Sequence, residues 1–216
     1  PKNTGMLQGS GVLVTNDGLI ATFHMALLEN ASYTVFLYNG TSYPATVVGT
    51  DSLTGLTYLS IPASNLPSIS FANPDDIRAG KKLILIANTA EEYRNRYSTG
   101  LLGNTDKTFN IAGGSVASSE RWEGVYAVDA ASIAPYLGGP AIDYQGDLVG
   151  IVGNSPKDGG FESFLLPGSA VKESLERQVH GTLAKRPHLG VSYLSITKAY
   201  AIATAIGRDR GALITT

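Results

Sequence analysis

Few side chains in this sequence could bind a metal or act as a general base. Its 216 residues contain three histidines, His24, His180 and His188, and no cysteine. Without cysteine there are no disulfides, thiolate nucleophiles or cysteine-based zinc sites. His180 and His188 are eight residues apart, across a predicted helix end and a linker, and this spacing matches no compact set of metal ligands. We therefore predict neither a metal site nor a cofactor.

Composition and charge exclude several classes of protein. The chain has 16 Lys and Arg against 18 Asp and Glu, a net charge of −2, and no basic cluster, which argues against nucleic acid as a partner. Charged residues make up 16% and hydrophobic residues 43%, which excludes intrinsic disorder. No apolar run approaches the roughly 18 residues of a membrane span. We expect a soluble chain of one large or two small domains.

Short apolar segments separated by turn signals predict strands. Asn16-Asp17-Gly18 and Asn39-Gly40 supply the positive-φ residues of tight hairpins. The predicted strands are Gly11–Val14, Leu19–Thr22, Tyr33–Tyr38, Ser42–Val48, Leu56–Ile61 and Leu83–Ala87, and Glu91–Tyr97 is predicted to be an exposed loop. This pattern is typical of an all-β barrel or sandwich.

One amphipathic helix is predicted near the C-terminal end. Val171, Leu175 and Val179 are spaced i, i+4, i+8, Ser169 is the predicted cap and Gly181 the stop. Because it follows a run of strands, we expect the helix to pack on the outside of the β core.

Several segments resemble the HtrA (Deg) family of trypsin-fold serine proteases. They are GSGVLVTNDGLIAT at 9–22, YPATVVGTDSLTGLTYLSI at 43–61, VDAASIAPYLGGPAIDYQGDLVGI at 128–151, GGFESFLLPGSAVKESLERQVHG at 159–181 and HLGVSYLSITKAYAIATAIGRDRGALITT at 188–216. The resemblance implies an all-β, trypsin-like double β-barrel with a C-terminal helix and a partial PDZ-like segment. It predicts a protease-like domain at 1–181, a linker at 182–187 and the N-terminal part of a PDZ-like domain at 188–216.

At the family's nucleophile and oxyanion positions, this chain has residues that cannot supply a nucleophilic hydroxyl or a backbone N–H donor. A trypsin-type site needs a hydroxyl, a general base, an orienting carboxylate and two backbone N–H donors. Where the family has GNSGGP, this chain has Pro135-Tyr136-Leu137-Gly138-Gly139-Pro140, so Leu137 takes the serine position. Pro135 takes the oxyanion position and has no backbone N–H.

The other two triad positions are also altered. Gly55 takes the aspartate position, and the nearby Asp51 is interpreted as a turn former. Aligned without a gap, the histidine position falls on Met25. One deletion before it would restore His24 but would require two extra residues before Glu29. The gap-free register is the simpler one, and both residues remain candidates.

The degenerate triad predicts that the chain is not an enzyme but a pseudoprotease that acts as a binding or regulatory scaffold. The resemblance implies polypeptide or an active homologue as partner, homo- or hetero-oligomers, and an extracytoplasmic or periplasmic location with any membrane anchor outside this sequence. Peptide would add a strand beside Phe161, Ser163 and Leu165, or at the PDZ-like loop formed by Leu189, Gly190 and Val191.

Two alternatives remain open. One is a serine endopeptidase with a rearranged active site, in which His24 acts with Ser132 or Ser155. The other is a protease fold repurposed to bind a transition metal through His24 and a neighbouring residue.

Overall fold

The structure is a computed structural model that describes residues 8–28, 31–87, 96–105, 107–110, 121–157, 160–183, 192–196, 204, 207–208 and 211–215. Within these residues the chain is almost entirely β, with one α-helix longer than a single turn. The predicted all-β class is therefore confirmed.

The first sheet is built from five antiparallel strands in the order β1-β2-β5-β4-β3. Their bounds are β1 Val12–Leu13, β2 Leu19–Phe23, β3 Tyr33–Phe36, β4 Ser42–Asp51 and β5 Leu56–Ser60. The chain turns at both predicted sites, and Gly18 and Gly40 have φ angles of 94° and 83°, which glycine adopts without a steric penalty. The prediction of a second positive φ at Asn39 is wrong, since Asn65 is the one described non-glycine residue with a positive φ. β4 is three residues longer than predicted and bends at a register shift between Val47 and Gly49.

The second sheet has six strands in the order β10-β7-β6-β11-β12-β13. Their bounds are β6 Lys82–Ala87, β7 Arg96–Leu102, β10 Val128–Asp129, β11 Pro140–Ile142, β12 Leu148–Lys157 and β13 Gly160–Pro167. β8 Lys107–Asn110 pairs with β9 Arg121–Val125, and β14 Ser192–Ile196 pairs with β15 Gly211–Thr215. The loop predicted at Glu91–Tyr97 is wrong at its end, since Arg96 and Tyr97 pair with β6; residues 91–95 lie outside the described residues.

Helix α1 spans Gly168–Val179 and lies against β12, β13 and β5. The predicted cap is wrong: Pro167 takes the N-cap position, and no side chain caps the helix, because Ser169 already lies in its first turn. The predicted stop is confirmed, since Gly181 has a φ of 65° just after the last turn. Ser174 faces inward, and its hydroxyl donates a 2.7 Å hydrogen bond to Asp51 at the end of β4.

Three apolar cores lie within the described residues, and two of them contain side chains of the six-stranded sheet. The first contains side chains from both sheets and from α1, among them Phe23, Leu56, Tyr58, Ile151, Phe164 and Val171. The Phe23 and Phe164 rings meet edge to face, with centroids 5.8 Å apart. The second core fills the interior of the six-stranded sheet and contains Leu83, Leu85, Ile133, Tyr136, Val152 and Leu165. The first core therefore joins the two sheets and the helix in one packed unit.

No helix in the described part of the chain combines the length and the apolar character needed to cross a membrane. Among the same residues, no group of three or more His, Asp or Glu side chains is arranged to hold a metal ion.

Candidate functional site

A single turn of 3-10 helix, Ala134–Tyr136, leads into Leu137 at the predicted nucleophile position. Pro135 fits the first turn because its fixed φ suits a helix start and its missing N–H is not needed there. The Leu137 N–H donates to the Ala134 carbonyl at 3.2 Å, and the Tyr136 N–H donates to the Ile133 carbonyl at 2.9 Å. The N–H of Leu137 is thus used inside the turn, so this geometry does not form a trypsin-type oxyanion hole.

The side chains of this turn are anchored by packing. Tyr136 is 2% exposed, and the guanidinium of Arg96 lies 5.5 Å from the centre of its ring. Leu137 is partly buried against the first core. The position that would present a hydroxyl to the cleft therefore holds a hydrocarbon side chain packed on the protein.

The two glycines after Leu137 bind the turn to β12. The Gly138 N–H donates to the Val152 carbonyl at 2.8 Å, and the Val152 N–H donates to the Gly139 carbonyl at 3.0 Å. Gly138 has a φ of 78°, and a Cβ there would collide with the Ser10 carbonyl and the Thr22 hydroxyl. Only glycine meets both requirements at this position.

His24 lies beside Gly55, the residue at the predicted aspartate position. Its backbone N–H donates to the Gly55 carbonyl at 2.8 Å, and its ring Nδ1 lies 3.1 Å from the same oxygen. Because a carbonyl only accepts, Nδ1 is the donor in this contact, and in the neutral ring Nε2 has a free lone pair. A neutral carbonyl thus orients the exposed ring where a carboxylate would do so in a complete triad. Both of these contacts to Gly55 are made by His24, one of the two candidates for the histidine position.

Gly55 itself leaves no room for a side chain. Its φ is 72°, and a Cβ would lie 2.7 Å from the Phe23 ring and 3.1 Å from Nδ1 of His24. The Phe23 ring therefore fills the space that an acidic side chain at position 55 would enter. Asp51 is the turn former predicted from sequence, since its Oδ1 accepts from the Leu53 N–H at 3.1 Å.

The hydroxyls considered for a rearranged site are not brought to His24. Ser155 is 1% exposed in β12, and Ser132 is an exposed loop residue. Within the described residues, the His24 ring contacts Gly55 and Phe23 and forms no hydrogen bond with either serine. Of the two other histidines, His180 ends α1 with its ring 2.6 Å from the Glu176 carbonyl, and His188 lies outside the described residues.

β12 extends beyond its neighbour β11 and leaves an edge beside the Leu137 turn. It pairs with β13 as far as Lys157↔Gly160, whereas its pairing with β11 begins at Pro140↔Ile151. On that side of β12, Val152 bonds to Gly138 and Gly139, and no described strand pairs with Asn154 there. The sequence alone does not reveal this edge, because the unequal length of the two strands depends on their pairing register.

The peptide-binding residues predicted on β13 have different surroundings. Leu165 is fully buried, and its N–H and C=O bond with Tyr126 at 2.9 Å each, so its outer edge is occupied. Phe161 is 61% exposed and Ser163 is half-buried. Tyr126, the partner of Leu165, is itself partly buried, and this burial raises the pKa of its phenol group. The predicted loop residues Leu189, Gly190 and Val191 lie outside the described residues.

Comparison with known proteins agrees with this architecture. The sequence profile of the trypsin-like peptidase domain matches residues 9–151. The chain is 28% identical over 222 residues to a probable periplasmic serine endoprotease DegP-like of Rhizobium meliloti (strain 1021), covering 99% of this chain and 42% of the relative. It is 29% identical over 200 residues to the serine protease Do-like HtrB of Bacillus subtilis (strain 168), covering 88% of this chain and 42% of the relative. The chain thus spans about two-fifths of these proteins.

Solved structures show the same fold. The HtrA-type protease AlgW with a decapeptide matches 96% of this chain and 62% of its own, with a TM-score of 0.74 and 24% identity. A variant of AlgW with a tripeptide matches with a TM-score of 0.76 at 24% identity, covering 96% of this chain and 67% of its own. The predicted trypsin-like double barrel is therefore confirmed.

The chain belongs to the trypsin-like peptidase domain family, and its relatives place it in the HtrA/Deg group. The prediction that it is not an enzyme is wrong by the same comparison, because the relatives are named serine endoproteases and the matched structures are HtrA-type proteases. That prediction considered only four positions of the trypsin-type site. A protease fold retains further groups that contribute to hydrolysis after triad residues are removed.

Proposed function

We propose that this chain binds polypeptide in an extended conformation along the edge of β12 beside the Leu137 turn. The observation that supports the proposal is the unequal length of neighbouring strands: β12 stays paired with β13 up to Lys157, whereas β11 ends opposite Ile151. Beyond Val152, this side of β12 presents the backbone N–H and C=O of Asn154 and the C=O of Pro156, which has no N–H, to an added strand. Both matched AlgW structures are described with a peptide, which is the ligand class proposed here.

The relatives also indicate a setting for this activity. The DegP-like relatives are called periplasmic, and we propose an extracytoplasmic location for this chain. We further propose that residues 188–216 begin a PDZ-like domain, consistent with the antiparallel pair β14 and β15. For both the β12 edge and residues 188–216, we propose polypeptide as the partner. A homologous protein chain is one such partner.

The test removes backbone hydrogen-bond donors from the peptide ligand and measures the effect on its binding. Fluorescein-labelled decapeptides without stable structure are titrated with the chain, and binding is followed by fluorescence anisotropy. N-methylation of alternate peptide nitrogens removes the donors that would face β12 and should weaken binding about tenfold per lost bond, while methylation of the intervening nitrogens should have little effect. Equal effects at every position, or no binding at millimolar peptide, would refute the proposal.

The names of the relatives favour a second candidate, peptide-bond hydrolysis that does not use Leu137. His24 supports it, because Nδ1 donates to Gly55 and Nε2 is left as a potential general base. Casein is incubated with the chain and with the His24→Ala variant, and the products are identified by mass spectrometry. We expect the variant to lose at least about 10²-fold in rate. Equal cleavage by both proteins, or none by either, would reject this candidate.

A further inference from the structure

We infer that the outer face of the β3–β4 hairpin binds a neutral oligosaccharide, which stacks on the rings of Phe36 and Tyr38. This face belongs to the first sheet, whereas the edge of β12 belongs to the second. The inference therefore goes beyond the proposed peptide binding and does not depend on it.

Two aromatic rings project from the same face of this hairpin. Side chains alternate along a strand, and every second residue here packs inward against the third apolar core: Tyr33, Val35 and Leu37. The intervening Phe36 and Tyr38 therefore face outward, and they are 56% and 84% exposed. The Leu37 N–H donates to the Thr41 carbonyl at 2.8 Å, so the hairpin pairing continues up to the turn that contains Tyr38.

The surroundings of the two rings are polar but uncharged. The register of the hairpin places Ser42 opposite Phe36 and Pro44 opposite Thr34, and all four residues are exposed. No described residue forms a hydrogen bond with the hydroxyl of Thr34 or of Ser42, so both hydroxyls are available to a ligand. The sequence has no charged residue from position 30 to position 50, and no Lys or Arg from position 3 to position 77.

This combination of groups indicates the class of ligand. A pyranose ring has a face of C–H groups, which packs on the negatively polarised face of an aromatic ring, and hydroxyls that both donate and accept hydrogen bonds. Nucleic acid bases also stack on aromatic rings, but their binding depends on Lys and Arg at the phosphates, which this part of the chain lacks. A charged glycan would find no counter-charge among residues 30–50, so a neutral oligosaccharide is the ligand that matches this face.

The test is isothermal titration calorimetry of the chain with three neutral hexasaccharides: chitohexaose, cellohexaose and maltohexaose. We expect at least one of them to bind. Phe36→Ala and Tyr38→Ala should each weaken that binding about fivefold, and the double variant should bind still more weakly. Tyr38→Phe keeps the ring and should retain most of the affinity. The matched control is Tyr144→Ala, which removes a 59% exposed ring from the turn between β11 and β12 and should have no effect.

Three results would overturn the inference. The first is the absence of binding to all three hexasaccharides at about 10 mM. The second is binding that is unchanged in the double variant, which would place the sugar elsewhere. The third is sedimentation with phosphatidylethanolamine–phosphatidylglycerol vesicles that requires both rings while no sugar binds, because the face would then dock on lipid. Both rings are exposed, so we expect the variants to keep the circular dichroism spectrum of the unaltered chain. None of these results bears on decapeptide binding at β12.

Discussion

The hydrogen bond between Ser174 and Asp51 should be a large single contribution to stability. Ser174 is 0% exposed in α1 and Asp51 is 1% exposed at the end of β4, and their side-chain oxygens are 2.7 Å apart. The Ser174→Ala substitution removes a donor from a carboxylate that has little access to water. Hydrogen bonds to charged groups contribute about 1.5–3 kcal/mol, so we expect the free energy of unfolding to fall by about 2 kcal/mol.

Urea denaturation followed by circular dichroism measures this change, and the matched control is Ser169→Ala in the same helix. Ser169 is exposed and provides no cap, so its substitution should change the free energy of unfolding by less than about 0.5 kcal/mol. At roughly 2–4 °C per kcal/mol for a chain of this size, Ser174→Ala should also lower Tm by about 4–8 °C. Equal stabilities of the two variants would refute the conclusion that this hydrogen bond attaches the helix to the first sheet.

Three shorter predictions concern the second sheet and the turn. Burial opposes ionisation of Asp143, but hydrogen bonds from Lys81 and from the backbone N–H groups of Asp147 and Gln145, with the charge of Lys81, outweigh it and lower its pKa. Stability from this group is thus present above pH ~4 and is lost as the pH falls through the lowered pKa; in Lys81→Met, an NMR titration should show a higher Asp143 pKa and unfolding at a higher pH. Gly138→Ala should cost about 3 kcal/mol or more, against about 1 kcal/mol for Gly146→Ala, where φ is also positive but the space is open; equal urea midpoints would contradict this. Leu137→Ser alone should not increase casein hydrolysis by more than about tenfold, because Pro135 still lacks an N–H; a larger increase would mean that the turn rearranges.

The fold could be predicted from the sequence because turn residues and hydrophobic spacing determine it locally. Gly40 and Gly181 act through their own positive φ angles, as predicted, whereas Asn39 does not adopt the positive φ predicted for it. The Ser169 cap failed because the helix begins two residues earlier than predicted, with Pro167 at the N-cap and Gly168 as its first residue, where a Cβ would meet the carbonyls of Leu148 and Val149. Strand ends depend in the same way on partners distant in sequence, as in the three extra residues of β4.

The candidate site was harder to predict from the sequence than the fold. Leu137, Pro135 and Gly55 could be read one by one, but the contact that orients His24 involves a backbone carbonyl, which any residue possesses.

The close contact between Gly55 and the Phe23 ring affects how this site can change by mutation. An aspartate introduced at position 55 would have to adopt a left-handed backbone and displace an aromatic ring from the shared core. Gly55→Asp alone would therefore destabilise the chain while placing a carboxylate beside His24. A smaller residue at position 23 would make room for that side chain, so packing couples substitutions at positions 23 and 55.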